Sequence, residues 1–153
     1  METLIKKEMT LTRILNAPRE LVFKAWTEVD HLAQWWGPKG FTNPVCRADV
    51  RVGGKIYIEM KSPDGTVYPM DGSFTEITPP AKIVFLSSAL DDQGKRIFEV
   101  MNTVLFEAEN GKTILTIHAV VDETPLAKPF LDGMNEGWSQ SLDRLSAHVD
   151  SMQ

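Results

Sequence analysis

Gly133-Met134-Asn135-Glu136-Gly137-Trp138 is the most informative stretch of this sequence, because it places two glycines inside a helical pattern. It belongs to a segment from about Pro125 to Met152 whose apolar residues recur along one helix face. A glycine inside a helix costs up to about 1 kcal/mol relative to alanine. Two of them predict a close approach to the helix, either by a packed sheet or at the mouth of a cavity. The apolar stripe consists of Phe130, Met134, Trp138, Leu142, Leu145, Val149 and Met152.

Length and composition are those of an ordinary globular protein. The chain has 153 residues, of which 42% are hydrophobic and 24% charged, so we expect a single domain over residues 1–153. A net charge of −5 without a basic block disfavours a nucleic-acid partner and an anionic membrane surface. Cys46 is the one cysteine, which excludes an internal disulfide. With no signal segment or membrane-spanning stretch, the expected location is the cytoplasm.

The first part of the chain predicts a strand followed by two short helices. Residues 6–15 alternate between apolar and polar side chains, which is typical of a strand. A helix follows, with Asn16 as its expected cap and Pro18 in its first turn. Asp30 is expected to cap a second short helix over residues 30–35.

Six strand-like runs then follow, separated by turn sequences such as Asn110-Gly111. Each connection is too short for a crossover helix, so we expect an antiparallel sheet. Such a sheet twists and curls, and a single C-terminal helix cannot fill its concave face. We therefore expect a cavity between sheet and helix, closed at one end by the two short helices. The six runs are residues 46–52, 56–60, 67–77, 83–87, 98–106 and 114–121.

Several stretches along nearly the whole chain carry a family resemblance: residues 17–26, 35–38, 40–42, 49–54, 60, 64–65, 72–77 and 133–145. The chain resembles the START/Bet v 1-like superfamily (SRPBCC, helix-grip), in the branch similar to the activator of heat shock protein 90 ATPase. This resemblance implies an α+β helix-grip fold, in which a curved antiparallel sheet of about six to seven strands wraps around a long C-terminal helix.

Polar residues on the predicted apolar face indicate where a ligand would be oriented. Asn102 is in phase with the apolar residues of its predicted strand. Tyr68 and Glu76 are likewise in phase with the apolar residues of the strand predicted over residues 67–77. Burying such groups costs about 1–3 kcal/mol each unless they are paired. Two interpretations remain open: the three side chains pair with one another, or they orient a bound molecule.

Methionines and aromatic residues dominate the rest of the predicted cavity lining. Flexible thioethers fill irregular space and suit a pocket that accepts varied ligands, although they also suit an adaptable packed core. The candidate ligand-binding residues are Trp36, Ile56, Ile58, Met60, Tyr68, Met70, Phe74, Glu76, Val100, Asn102, Val104, Phe130, Met134 and Trp138.

Motifs for metal, cofactor or nucleophilic chemistry are not found in the sequence. His31, His118 and His148 lie in different predicted elements without metal-ligand spacing, and His31 and His118 are expected to face solvent. Cys46 shares the apolar side of its strand and is interpreted as a small core residue rather than a nucleophile. Gly53-Gly54 predicts a turn or bulge and not a phosphate loop. No catalytic residue, metal or cofactor is assigned.

Three classes of function remain, because the fold alone does not fix activity. The favoured hypothesis is binding of a small, mostly hydrophobic molecule in the cavity, without chemistry. The resemblance implies an alternative role as a co-chaperone-like module with a chaperone partner. An enzyme of the cyclase or hydrolase kind is less favoured, since only Asn102, Glu76 and Tyr68 would supply polar groups. Self-association through an exposed apolar patch is a further expectation.

Overall fold

The computed structural model describes residues 5–123 and 128–153. These residues form one seven-stranded sheet and three helices, in the order strand, two short helices, six strands, long helix. The elements are β1 Ile5–Leu15, α1 Arg19–Thr27, α2 Val29–Trp35, β2 Thr42–Ala48, β3 Lys55–Lys61, β4 Val67–Thr78, β5 Lys82–Leu90, β6 Arg96–Glu109, β7 Lys112–Glu123 and α3 Lys128–Ser151.

The sheet has the strand order β1-β7-β6-β5-β4-β3-β2, and every neighbouring pair is antiparallel. Strands β2 to β7 form a meander, and β1 joins its far edge by pairing with β7. The predicted α+β helix-grip architecture is therefore confirmed. The hairpin at Asn110-Gly111 is also confirmed, since both residues have positive φ (52° and 79°), as a tight two-residue turn requires.

Strand β2 occupies Thr42–Ala48, whereas the alternation predicted residues 46–52. The prediction was wrong at its C-terminal end because the chain turns there. The amide of Asp49 donates to the carbonyl of Lys55 at 2.8 Å and closes the turn. A Cβ on Gly54 would lie 1.9 Å from the Asp49 carbonyl oxygen, so this turn requires glycine. The predicted turn at the glycine pair is thus confirmed.

The two short helices begin differently from the prediction. Pro18, not Asn16, occupies the N-cap position of α1 without a side-chain cap. The carbonyl of Asn16 instead accepts a hydrogen bond from Nε2 of Gln153 at 2.8 Å. Glu28, not Asp30, holds the N-cap position of α2, and Asp30 lies in the first turn, where its negative charge favours the helix N-terminus.

Helix α3 lies across the concave face, and its backbone comes closest to β1, α1 and α2. Its predicted start near Pro125 falls outside the described residues. At its N-terminal turn Leu131 is buried and Phe130 is 41% exposed, which reverses the predicted stripe at this point. None of the helices in the described ranges has the length and apolarity to span a membrane. The buried α3 residues are Leu131, Ser141, Leu142, Leu145 and Val149.

An aromatic cluster closes one end of the sheet, as expected for the two short helices. Trp35 is fully buried, and its Nε1 donates to the carbonyl of Ala25 at 3.0 Å. The ring of Trp26 lies edge-on to Trp35 at 4.7 Å and to Phe106 at 6.2 Å. Edge-to-face packing of this kind adds to the burial of large apolar rings. The cluster fixes the end of α2, from which the cavity wall begins.

Candidate functional site

A cavity of about 310 Å³ lies between the concave face of the sheet, the N-terminal half of α3 and the loop after α2. It exists because α3 packs closest to β1 and the short helices, which leaves space over the middle strands. The lining is Trp36, Gly37, Pro38, Phe41, Met60, Tyr68, Pro69, Met70, Ser87, Ala89, Phe98, Val100, Asn102, Phe130, Leu131, Met134, Gly137, Trp138 and Ser141.

Two aromatic pairs form the rim of the cavity. The ring centroids of Phe41 and Tyr68 lie 6.0 Å apart, and those of Phe98 and Phe130 lie 5.1 Å apart. Tyr68 is 39% exposed and Phe130 is 41% exposed. Each pair connects two different elements. The cavity mouth is therefore formed by the loop after α2, the sheet and the first turn of α3.

The inner end of the cavity is walled by two tryptophans. The rings of Trp36 and Trp138 meet edge-on at 5.5 Å. Trp26 lies behind this wall and stacks on Trp138, with centroids 6.1 Å apart and planes 16° apart. The wall is therefore continuous with the aromatic cluster of the core, which holds both rings in place.

Asn102 is the most buried polar group of the lining, with 1% exposure. Its Nδ2 donates to Oγ of Ser87 at 2.9 Å and to the carbonyls of Phe85 and Val100 at 3.3 Å each. Its Oδ1 accepts no hydrogen bond from the described residues. Ser141, 5% exposed, adds a hydroxyl from α3. The cavity is thus apolar with a few fixed polar groups, which is the usual anatomy of a small-molecule site.

The described lining contains no aspartate, glutamate, lysine, arginine or histidine. Met60, Met70 and Met134 contribute thioether groups to the apolar lining instead. A bound charge would lose its hydration without meeting an opposite charge. The arrangement therefore suits recognition of an uncharged molecule.

Nine of the fourteen sequence-predicted residues line the cavity. They are Trp36, Met60, Tyr68, Met70, Val100, Asn102, Phe130, Met134 and Trp138. Four others face the concave side but are sealed in the packed core, with exposures of 3% or less. These four are Ile56, Ile58, Phe74 and Val104.

Glu76 is the fifth predicted residue outside the lining, and its placement on the concave face was wrong. A β-bulge between Phe74 and Glu76 breaks the alternation of β4. The carboxylate instead faces solvent, where Oε1 lies 3.4 Å from Nζ of Lys82 and Oε2 accepts from Oγ1 of Thr78 at 3.3 Å. Because Glu76 lies on the solvent side, the interpretation in which Glu76 pairs with Asn102 and Tyr68 was also wrong.

Some lining residues were missed by the sequence prediction. Ser87 and Ala89 follow Phe85 in alternation along β5. Ser87 lay at the end of the predicted run and could have been found from it, whereas Ala89 required a longer strand. Ser141 is buried on α3 next to Leu142 but is polar, so the apolar stripe did not include it. Phe41 lies in a loop, where no periodicity places a side chain.

Arg144 holds the loop wall of the cavity, and no sequence pattern indicated it. Its Nη1 donates to the carbonyls of Trp36, Gly37 and Pro38 at 3.0, 2.8 and 3.0 Å. Its Nη2 donates to the carbonyl of Gln34 at 3.1 Å. Burial lowers the pKa of the guanidinium from its ordinary value, but it stays charged. One side chain of α3 thus binds carbonyls at the end of α2 and along the cavity loop.

The two glycines of α3 have different surroundings. A Cβ on Gly137 would lie 3.8 Å from Cγ of Pro38, an ordinary contact at the cavity edge. A Cβ on Gly133 would meet no atom within 4 Å, so the predicted close approach at this residue was wrong. Gly137 thus borders a neighbour, as predicted, although with room for a methyl group.

Replacing either glycine with alanine is therefore expected to stabilise the protein by about 1 kcal/mol or less. The gain comes from helix propensity, because neither Gly133→Ala nor Gly137→Ala creates a clash. Urea denaturation of both variants and of the double variant measures it, with additive gains expected. A loss of stability in Gly137→Ala would show that Pro38 cannot accommodate the methyl group.

The structure brings two of the three histidines together, which their spacing in the sequence did not indicate. Nδ1 of His31 and Nε2 of His148 lie 3.0 Å apart and share a hydrogen bond between α2 and α3. Nε2 of His31 lies 3.9 Å from Oε1 of Glu28. His31 is therefore partly buried and not simply solvent-facing. His118 does point away from the concave side, as predicted, since Ile117 and Ala119 beside it are buried.

Acidification is expected to weaken the protein through His148. Burial, and then the positive charge of His31, lower the pKa of His148 below its ordinary value of 6.5. The unfolded chain therefore binds more protons, and this contribution to stability is lost as the pH falls from about 7 to about 5. The variant His148→Gln keeps a hydrogen-bonding group and does not titrate. Its unfolding free energy should fall less over this range, whereas an unchanged pH slope would contradict the assignment.

Cys46 and the metal-ligating side chains of the described residues are the candidate centres for nucleophilic or metal chemistry. Burial raises the pKa of Cys46 to about 11, so the side chain stays a thiol, and it packs against the core as predicted. Within residues 5–123 and 128–153, no group of three or more histidine, cysteine, aspartate or glutamate side chains is arranged to hold a metal ion.

The curved antiparallel sheet, the long C-terminal helix and the cavity between them define the START/Bet v 1-like class of helix-grip proteins. The sequence model of the family described as "Activator of Hsp90 ATPase homolog 1-like protein" matches residues 16–150, and the chain belongs to this family. No curated protein matches the chain significantly.

Solved structures of bacterial proteins share this fold. A protein from Nitrosomonas europaea is 26% identical, with a TM-score of 0.80 over 95% of this chain and 96% of the other. A protein from Chromobacterium violaceum is 28% identical, with a TM-score of 0.75 over 93% and 96%. An AHSA1 protein from Silicibacter pomeroyi is 25% identical, with a TM-score of 0.79 over 96% and 100%. The chain therefore spans nearly the whole length of these relatives.

Proposed function

We propose that the protein binds a small, mostly apolar molecule in the cavity between the sheet and α3. The observation that carries this proposal is the cavity of about 310 Å³ with its almost wholly apolar lining. This volume is at the lower end of the range for small-molecule sites. The ligand is accordingly a compact molecule rather than a large lipid.

The construction of the cavity supports the same conclusion. Its inner wall, Trp36 and Trp138, is supported from behind by Trp26, so it is rigid. Its sides carry methionines, which adapt to ligands of different outline. A rigid end and adaptable sides favour a binder that accepts related molecules of one size class.

A catalytic role is not proposed. The enzyme hypothesis drew on Asn102, Tyr68 and Glu76 as its polar groups. Glu76 pairs with Lys82 on the solvent side, which removes the one carboxylate from that set. Binding without chemistry is the function that the remaining geometry supports.

The proposal is tested by titration with N-phenyl-1-naphthylamine, an uncharged dye whose emission rises in apolar surroundings. We expect saturable enhancement with one dye per chain, reversed by uncharged apolar competitors. A linear, non-saturating signal, or a signal unaffected by competitors, would contradict a defined site.

A chaperone partner stays a prediction from the sequence. The family description names an activator of the Hsp90 ATPase, and this is the basis of the alternative. Adding the purified protein to an Hsp90 ATPase assay tests the chaperone alternative, and unchanged turnover would count against it.

Self-association likewise stays a prediction, which light scattering tests.

A further inference from the structure

The orientation of the Asn102 side chain is fixed by its neighbours. Its amide group lies 3.3 Å from the carbonyl oxygens of both Phe85 and Val100. Carbonyl oxygens only accept hydrogen bonds, so the atom facing them must be the donor Nδ2. The opposite assignment would place oxygen against oxygen at both positions.

This orientation leaves Oδ1 as the group that Asn102 offers to the cavity. The side chain borders the cavity and is 1% exposed, and Oδ1 accepts no hydrogen bond from the described residues. Oδ1 is not one of the sealed, unpaired side-chain atoms of the described residues, so it is open to the cavity space. A ligand that displaces water from this acceptor must supply a hydrogen-bond donor in its place. Ser87 already accepts from Nδ2 and keeps its own hydroxyl hydrogen.

The charge of the lining limits what can supply that donor. An ammonium or guanidinium group would bring a charge into a cavity whose described lining holds no carboxylate. A carboxylate ligand would find no cation there and would present acceptors to an acceptor. An uncharged hydroxyl or N–H group satisfies Oδ1 without either penalty.

We infer that the ligand is an uncharged apolar molecule that carries a hydroxyl or N–H donor at its buried end, and that this group donates to Oδ1 of Asn102. The inference rests on the proposed function and narrows its ligand class. Asn102 is the specificity-determining residue, whereas the tryptophans and methionines supply affinity without selecting for the donor.

Three probes with the same ring system test the inference at neutral pH. They are 2-naphthol, 2-methoxynaphthalene, which has no donor, and 2-naphthoate, which is ionised. We expect 2-naphthol to bind at least about tenfold more tightly than 2-methoxynaphthalene, as a buried hydrogen bond to an otherwise unpaired acceptor implies. The ionised 2-naphthoate should bind more weakly than either uncharged probe.

Two variants test whether Asn102 causes the preference for 2-naphthol over 2-methoxynaphthalene. In Asn102→Leu the ratio of the dissociation constants of 2-methoxynaphthalene and 2-naphthol should fall to about one, because the acceptor is gone. In Thr103→Val, a change on the other face of β6, the ratio should stay at its original value. Should Asn102→Leu fail to fold, the comparison of probes on the unaltered protein still decides the matter.

Each outcome has one meaning. Equal affinity for 2-naphthol and 2-methoxynaphthalene in the unaltered protein would overturn the donor requirement. Binding of 2-naphthoate as tight as that of 2-naphthol would overturn the uncharged class. Failure of all three probes and of the dye to bind would instead overturn the proposed function itself.

Discussion

Replacing Arg144 with methionine is expected to lower the free energy of unfolding by about 2–3 kcal/mol, because a charged donor to four carbonyls is lost. Methionine retains most of the apolar stem, so the effect reports on the guanidinium. The carbonyl of Trp36 keeps a second donor, Nδ2 of Asn43 at 2.8 Å, which limits the loss. Urea denaturation measures the change.

The same variant should also bind the dye more weakly. The carbonyls that Arg144 holds belong to the loop that lines the cavity, so its release disorders one wall. Arg144→Lys, which has one donor nitrogen instead of a planar fork, should recover only part of the stability. Arg51→Met is the control, because among the described residues the Arg51 side chain pairs with Asp49 alone, at an exposed turn, and such pairs contribute about 0–1 kcal/mol. A loss below about 1 kcal/mol in Arg144→Met would contradict the assigned role.

Replacing Ala89 with phenylalanine is expected to weaken dye binding at least about tenfold by filling the cavity. Ala89 lines the cavity between its cross-strand partners Met70 and Phe98, which also line it. The added ring therefore occupies space that a ligand would use. Since that space is open, the free energy of unfolding should change by less than the usual cost of overpacking a filled core, which is about 1–3 kcal/mol.

The control for this experiment is the same substitution at an exposed site of the sheet. Ala108 lies near the end of β6, away from the cavity, so Ala108→Phe should leave the dissociation constant unchanged. If Ala89→Phe bound the dye as tightly as the unaltered protein, the dye would bind elsewhere.

Where a strand is regular, the sequence alone placed its side chains correctly. Asn102 lies on β6, whose burial alternates without a break from Val100 to Phe106. Its position on the concave face followed from that alternation. The antiparallel order was equally predictable, because turn sequences such as Asn110-Gly111 leave no room for a crossover.

Where the backbone departs from regularity, the same reasoning failed. The bulge after Phe74 reverses the side of Glu76, and a single inserted residue leaves no periodic signal. The predicted caps of the short helices were wrong for a related reason. Asn16 and Asp30 are common capping residues, but whether they occupy a cap position depends on the path of the chain.

Contacts between distant segments formed the third class of misses. Arg144 bonds to carbonyls more than 100 residues away, and His148 bonds to His31 across 117 positions. Neither partner set can be deduced from spacing along the chain. Both contacts join α3 to α2, so the sequence predicted the cavity but not what holds its wall.

Ligand binding in the cavity is tested most directly by an amide NMR titration with N-phenyl-1-naphthylamine. Binding in the cavity predicts chemical-shift changes concentrated on lining residues and absent from the outer face, where Thr10, Thr103 and His118 pair across strands. Changes centred on the outer face, or no changes at saturating dye, would contradict binding in the cavity. The amides expected to shift most are those of Gly37, Met70, Ala89, Val100 and Gly137.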